Sequence, residues 1–248
     1  MPDSTSLARR LQAPLLVIAS LRLATALGAD FIFGEDFEGV PACNLTGLVV
    51  AATPAPLSAR LGTQTRHLLK VRACGVSGTV TLGTGDIPVA WGASIDNATF
   101  NLADGQVGVA ALLMTVPTDS AGGLATFNAT ATNAGNVTTQ GPVSVNVVSE
   151  WILHFAPDGT AYHNHVFLPA VLTIKLGAKI RLIDDDSTEN HTIHASGGSG
   201  GFTHQPDPGM TQGQEWDITP TAPTATQGLI YCHAHGTGVG QMHVNVIP

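Results

Sequence analysis

Short runs of alternating apolar and polar residues, separated by clusters of glycine, asparagine, aspartate and proline, recur along most of the chain. Side chains of a strand point to opposite faces in turn, so a period of two broken by turn residues predicts β-strands. Between residues 42 and 148 the runs are Leu48–Ala52, His67–Val71, Val76–Leu82, Val107–Thr115, Ala125–Thr132 and Val143–Val148. Between 150 and 248 they are Trp151–Phe155, His165–Phe167, Val171–Leu176, Lys179–Asp184, His191–Ala195, Glu215–Ile218, Gly228–Cys232 and Met242–Ile247. Runs with helical spacing are nearly absent after the N-terminal segment. Thr, Val, Ala and Gly are abundant, 44% of residues are apolar and only 11% are charged, a composition suited to a pleated, half-buried surface with a sizeable core. The expected fold class is all-β, in two successive sandwiches.

The N-terminus reads as an export signal over 1–29. Arg9 and Arg10 precede the mostly apolar Leu15–Leu27, and small residues follow at Gly28 and Ala29. The acidic-aromatic stretch Asp30–Gly39 resembles the segment after the signal in some exported bacterial proteins and reads as a linker over 30–41. Within 42–148, Val116–Gly123 followed by an alternating strand resembles bacterial Ig-like repeats, which implies an antiparallel Ig-like sandwich acting as a spacer or adhesion-type module. Cys43 and Cys74 lie in this region and can pair, which leaves Cys232 over in an oxidising compartment. A bound metal would occupy that thiol.

Nine of the ten histidines fall in 150–248, where even scatter would put about four. Candidate ligands converge in two segments, Glu189–His194 and Tyr231–Met242. Imidazole and thiolate suit borderline and soft ions, and a His₂Cys set with a weak axial ligand is the arrangement of blue-copper electron-transfer sites. The segments Phe167–Ile180, Asp184–Ser187 followed by Asn190–Ile193, Tyr231-Cys232 with His235 three residues on, and the closing His243–Val246 stand in the order of the cupredoxin family. Together they resemble a plastocyanin-like domain over most of 150–248. The resemblance implies a Greek-key β-sandwich binding one copper ion, Cu(I)/Cu(II), through His191, Cys232 and His235.

The axial position departs from that family's pattern. Gly240 stands where plastocyanin-like loops carry methionine. Met242 shares strand parity with Val244 and Val246 and is the preferred axial ligand, with Gln241 or no axial ligand as alternatives. His194, His204 and His233 are surplus. Alternation sends His191 and His194 to opposite faces. The surplus histidines are either exposed groups near the metal edge or part of a second metal site, to which His163 and His165 would contribute. Asp184-Asp185-Asp186 reads as a solvated loop, and Pro206–Met210 as a turn whose Met210 packs rather than ligates.

Formal net charge is −8, and removal of residues 1–29 (three Arg, one Asp) takes it to −10. Such a chain is not suited to nucleic acid, and it can meet a basic redox protein, such as a basic cytochrome, electrostatically. No Walker-type loop is present. The expectation is a periplasmic or secreted electron carrier that meets the membrane only through export. A copper enzyme with a second copper site, a copper carrier and an interaction module are the alternatives.

Overall fold

The computed structural model describes residues 43, 47–53, 56–155, 169–187, 189–196, 201–202, 204–233 and 241–248. The signal, the linker, the expected strand His165–Phe167 and His163, His165 and His235 lie outside the described residues. Those described fall in one compact unit, and all of their regular structure is β apart from one 3-10 turn at Val89–Trp91.

Nine strands build the N-terminal half: β1 (Gly47–Thr53), β2 (Leu57–Arg60), β3 (Gln64–Cys74), β4 (Gly78–Gly83), β5 (Ser94–Asp96), β6 (Thr99–Leu102), β7 (Val107–Thr115), β8 (Gly123–Asn133) and β9 (Thr138–Val148). They form two sheets, ordered β1-β3-β7-β5 and β2-β9-β8-β4-β6. The six expected runs are present as strands. The three strands with no sequence signal, β2, β5 and β6, are short, at four, three and four residues. The sandwich is not wholly antiparallel, because β2 pairs with β9 in parallel. Val71, Leu112 and Met114 of the first sheet and Val80, Phe100, Ala131 and Val145 of the second belong to the same buried cluster.

Cys43 is joined to Cys74, the last residue of β3, by a disulfide. The bond fits an oxidising environment outside the cytoplasm. It spans 31 residues, for which loop closure in the unfolded chain is worth about 3–4 kcal/mol. A Cys43→Ala/Cys74→Ala double variant should lose stability of that order in chemical denaturation. A loss under about 1 kcal/mol would mean that the β1–β3 ladder alone holds this end.

Seven strands build the C-terminal half: β10 (Glu150–Phe155), β11 (Val171–Lys175), β12 (Lys179–Asp184), β13 (Ile193–Ser196), β14 (Glu215–Ile218), β15 (Gly228–Cys232) and β16 (Gln241–Ile247). One sheet is β10-β12-β14 and the other β11-β16-β15-β13. The pairs β10/β12 and β11/β16 are parallel and the rest antiparallel, so each sheet joins strands distant in sequence. Alternation is strict where it matters. Ile180, Leu182 and Asp184 of β12 point inward, as do Met242, Val244 and Val246 of β16.

Only Ser149 separates β9 from β10. The junction is held by backbone bonds from Leu61 N–H to the Glu150 carbonyl (3.0 Å) and from Lys179 N–H to the Ser149 carbonyl (2.9 Å). The buried Glu150 carboxylate receives Arg60 Nε at 2.6 Å and Arg181 Nε at 3.3 Å. Arg181 also forks onto Asp217 at 2.9 and 3.1 Å and holds that carboxyl below its ordinary range. No described helix is long and apolar enough to cross a membrane.

Candidate metal centre

His191 lies just before β13 in a two-bond bridge with Met210: His191 N–H donates to the Met210 carbonyl at 3.0 Å, and Met210 N–H to the His191 carbonyl at 2.8 Å. Cys232 ends β15 opposite Ile193. Both ligand candidates are buried, with His191 3% and Cys232 1% exposed. The imidazole Nδ1 stands 3.6 Å from the Cys232 sulfur. For an ion about 2.0 Å from nitrogen and about 2.3 Å from sulfur, that separation corresponds to about 113° at the ion, close to tetrahedral. Donor chemistry and spacing therefore fit a shared soft or borderline ion. His233 N–H donates to the Thr192 carbonyl at 2.7 Å, tying the two ligand segments together.

Met242 pairs with Ile230, two residues before Cys232, and is fully buried on the face that carries Cys232. It sits one diagonal step along the ladder from the sulfur, a spacing that a long side chain bridges. Gln241 pairs with Tyr231, on the opposite face. Met210 is buried and held to His191 through its backbone. Among the described residues no group of three His, Cys, Asp or Glu side chains makes a metal-holding set. His235, the third ligand that the resemblance implies, is not among them.

The surplus histidines do come together. His194 pairs with Tyr231 on the outer face of the sheet, as alternation requires. Its Nδ1 lies 3.0 Å from His204 Nε2. Its ring centroid is 3.5 Å from that of His204 and 4.0 Å from that of His233. Burial first, then the neighbouring His204 and His233, hold His194 below the ordinary imidazole range. The rings pack on one another, and among the described residues they form no metal-holding group.

The aspartate run is not a solvated loop. Asp184 is fully buried and Asp186 is 7% exposed; only Asp185 reaches outward, to His154 Nδ1 at 2.8 Å. Burial pushes the Asp184 carboxyl up, opposed by the Asp186 N–H that it accepts at 2.9 Å. The Asp186 carboxylate meets His191 Nε2 at 3.2 Å. Burial opposes the charged His191 ring, but the Cys232 and Asp186 contacts outweigh it and raise the ring above its ordinary range. The missed signal was parity: Asp184 continues the inward series Ile180, Leu182.

No protein-family model matches the sequence, and no curated protein matches it. Among solved structures, the chain is similar to a novel purple cupredoxin from Nitrosopumilus maritimus, at 19% identity and a TM-score of 0.31, over 39% of this chain and 98% of that one. It is similar to the E. coli chaperone DraB at 9% identity and a TM-score of 0.31, over 79% and 98% of the two chains. The N-terminal Ig1-2 module of the Drosophila receptor protein tyrosine phosphatase DLAR matches at 11% identity and a TM-score of 0.25, over 80% and 99%. The chain is an all-β protein of several sheets, and the distant matches are to Ig-like and cupredoxin β-sandwiches.

Proposed function

We propose that this chain is an exported copper protein that transfers single electrons. His191, Cys232 and His235 would hold one copper ion, with Met242 as the weak fourth ligand. The observation that carries the reading is the buried pair of His191 Nδ1 and Cys232 Sγ, 3.6 Å apart on a shared core face. Copper, when bound, would supply the Cu(I)/Cu(II) couple.

The rest is done by the protein. The His191–Met210 bridge and the β13–β15 ladder hold the two donors from separate elements, so a change of charge between them moves little. Burial keeps water from the sulfur. The negative net charge, −8 for the whole chain and −10 without residues 1–29, suits docking of a basic redox protein such as a basic cytochrome, in the periplasm or outside the cell. The sandwich over 42–148 serves as a spacer beside the metal domain over 150–248.

A second reading is a copper enzyme with another metal built from the surplus histidines; His194, His204 and His233 stand close together, although as placed they form no metal-holding set. One titration separates the two. Uptake of one copper per chain, with intense visible absorption and narrow hyperfine splitting, is the expected result. Two coppers, one of them pale, would favour the enzyme. No uptake would end both readings and leave an interaction module.

A further inference from the structure

A neutral imidazole carries one proton, and only its unprotonated nitrogen can ligate a metal. His191 turns Nδ1 toward Cys232 and Nε2 toward the Asp186 carboxylate, at 3.6 and 3.2 Å. An ionised carboxylate only accepts hydrogen bonds, so the contact places the ring proton on Nε2 and leaves the Nδ1 lone pair facing the sulfur.

Asp186 is itself held. Its N–H donates to Asp184 Oδ1 at 2.9 Å. Asp184 is fixed through its backbone on both sides, its N–H donating to the Gln214 carbonyl at 3.0 Å and its carbonyl accepting Gly213 N–H at 2.6 Å. The series Gln214, Asp184, Asp186, His191, Cys232 is thus one hydrogen-bonded path from the β14 end to the thiol. All of its side chains from Asp184 onward are buried.

We infer that Asp186 is a positioning residue for the metal, setting the tautomer of His191 and, as a buried anion beside a ligand, lowering the reduction potential of the ion held there. This rests on the reading that His191 and Cys232 share a metal. The electrostatic direction follows from charge: a nearby carboxylate stabilises the higher oxidation state more than the lower. An uncharged acceptor would keep the ring in place but lose that preference. The device depends on Asp184, the last residue of β12, and Asp186, two residues on, both turning inward.

The test compares the full chain with Asp186→Asn, using copper alone as the probe. Cu(II) and Cu(I) affinities are measured against competing chelators, together with the potential, and His191 nitrogen shifts are recorded in the copper-free protein. Loss of an outer-shell partner costs about 10–100-fold in metal affinity. The expected result is a loss in that range for Cu(II), with Cu(I) affected less. A tenfold difference between the two losses raises the potential by about 59 mV. Equal losses for both ions, or an unchanged potential, would overturn the inference. The tautomer readout needs neither copper nor a folded variant. At a pH where the ring is neutral, the single His191 proton of the unsubstituted chain should sit on Nε2, and a single proton on Nδ1 would overturn the assignment. If the unsubstituted chain took up no copper, the proposed function would fail and the effect on potential with it, while the nitrogen shifts would still decide whether Asp186 sets the His191 tautomer.

Discussion

Cys232→Ser is expected to remove the intense visible absorption of the copper-loaded protein and leave the far-ultraviolet dichroism of a β-protein. The thiolate is the donor behind the charge-transfer colour, and a hydroxyl is a harder, poorer ligand. Copper affinity should fall by more than the roughly 10–100-fold typical of an outer-shell loss. The side chain is 1% exposed, so a hydroxyl enters an apolar setting beside Ile193 and Ile230. That costs about 1–3 kcal/mol of stability, with unfolding still cooperative. Colour surviving the substitution would exclude Cys232 as a ligand and with it the proposed centre.

The second large effect comes from a residue that never touches the metal. Gly209 has φ +86°, and a Cβ built there would lie 2.6 Å from the His191 carbonyl oxygen and would overlap the Thr192 hydroxyl. Backbone cannot yield as a flexible side chain can. Left-handed strain of about 1–2 kcal/mol and overpacking of about 1–3 kcal/mol together put the cost of Gly209→Ala near 2–5 kcal/mol. The displaced group is the carbonyl that accepts Met210 N–H, so the bridge that seats His191 opens. Denaturant midpoint and copper uptake should fall together. Reduced stability with wild-type copper affinity would mean that the bridge does not seat the ligand.

Much of the scaffold was legible because long strands advertise a period. Val107–Thr115, Lys179–Asp184 and Gly228–Cys232 form strands with the bounds that their patterns indicated, and so does the four-residue Glu215–Ile218. The inward side of Met242 followed from its spacing to Val244 and Val246. Strands β2, β5 and β6 were not legible, since their pairing is imposed by longer neighbours. The contact of His194 with His204 was hidden for another reason: the chain between β13 and β14 has no repeating pattern, and its return to the sheet depends on tertiary packing. A run of three aspartates reads as polar surface by composition, yet strand parity had already turned Asp184 inward. There the period was the better guide than the residue type.

Three cysteines permit three different single crosslinks, and only one of them occurs here. In a chain that folds from its N-terminus, Cys43 and Cys74 are both present long before Cys232 is made. The correct bond can therefore close while the competing thiol is still absent. Once the second sandwich folds, Cys232 is sealed at the end of β15, beyond the reach of shuffling reagents. Refolding the whole denatured chain in one step removes that head start, so oxidative refolding should scramble where stepwise synthesis does not.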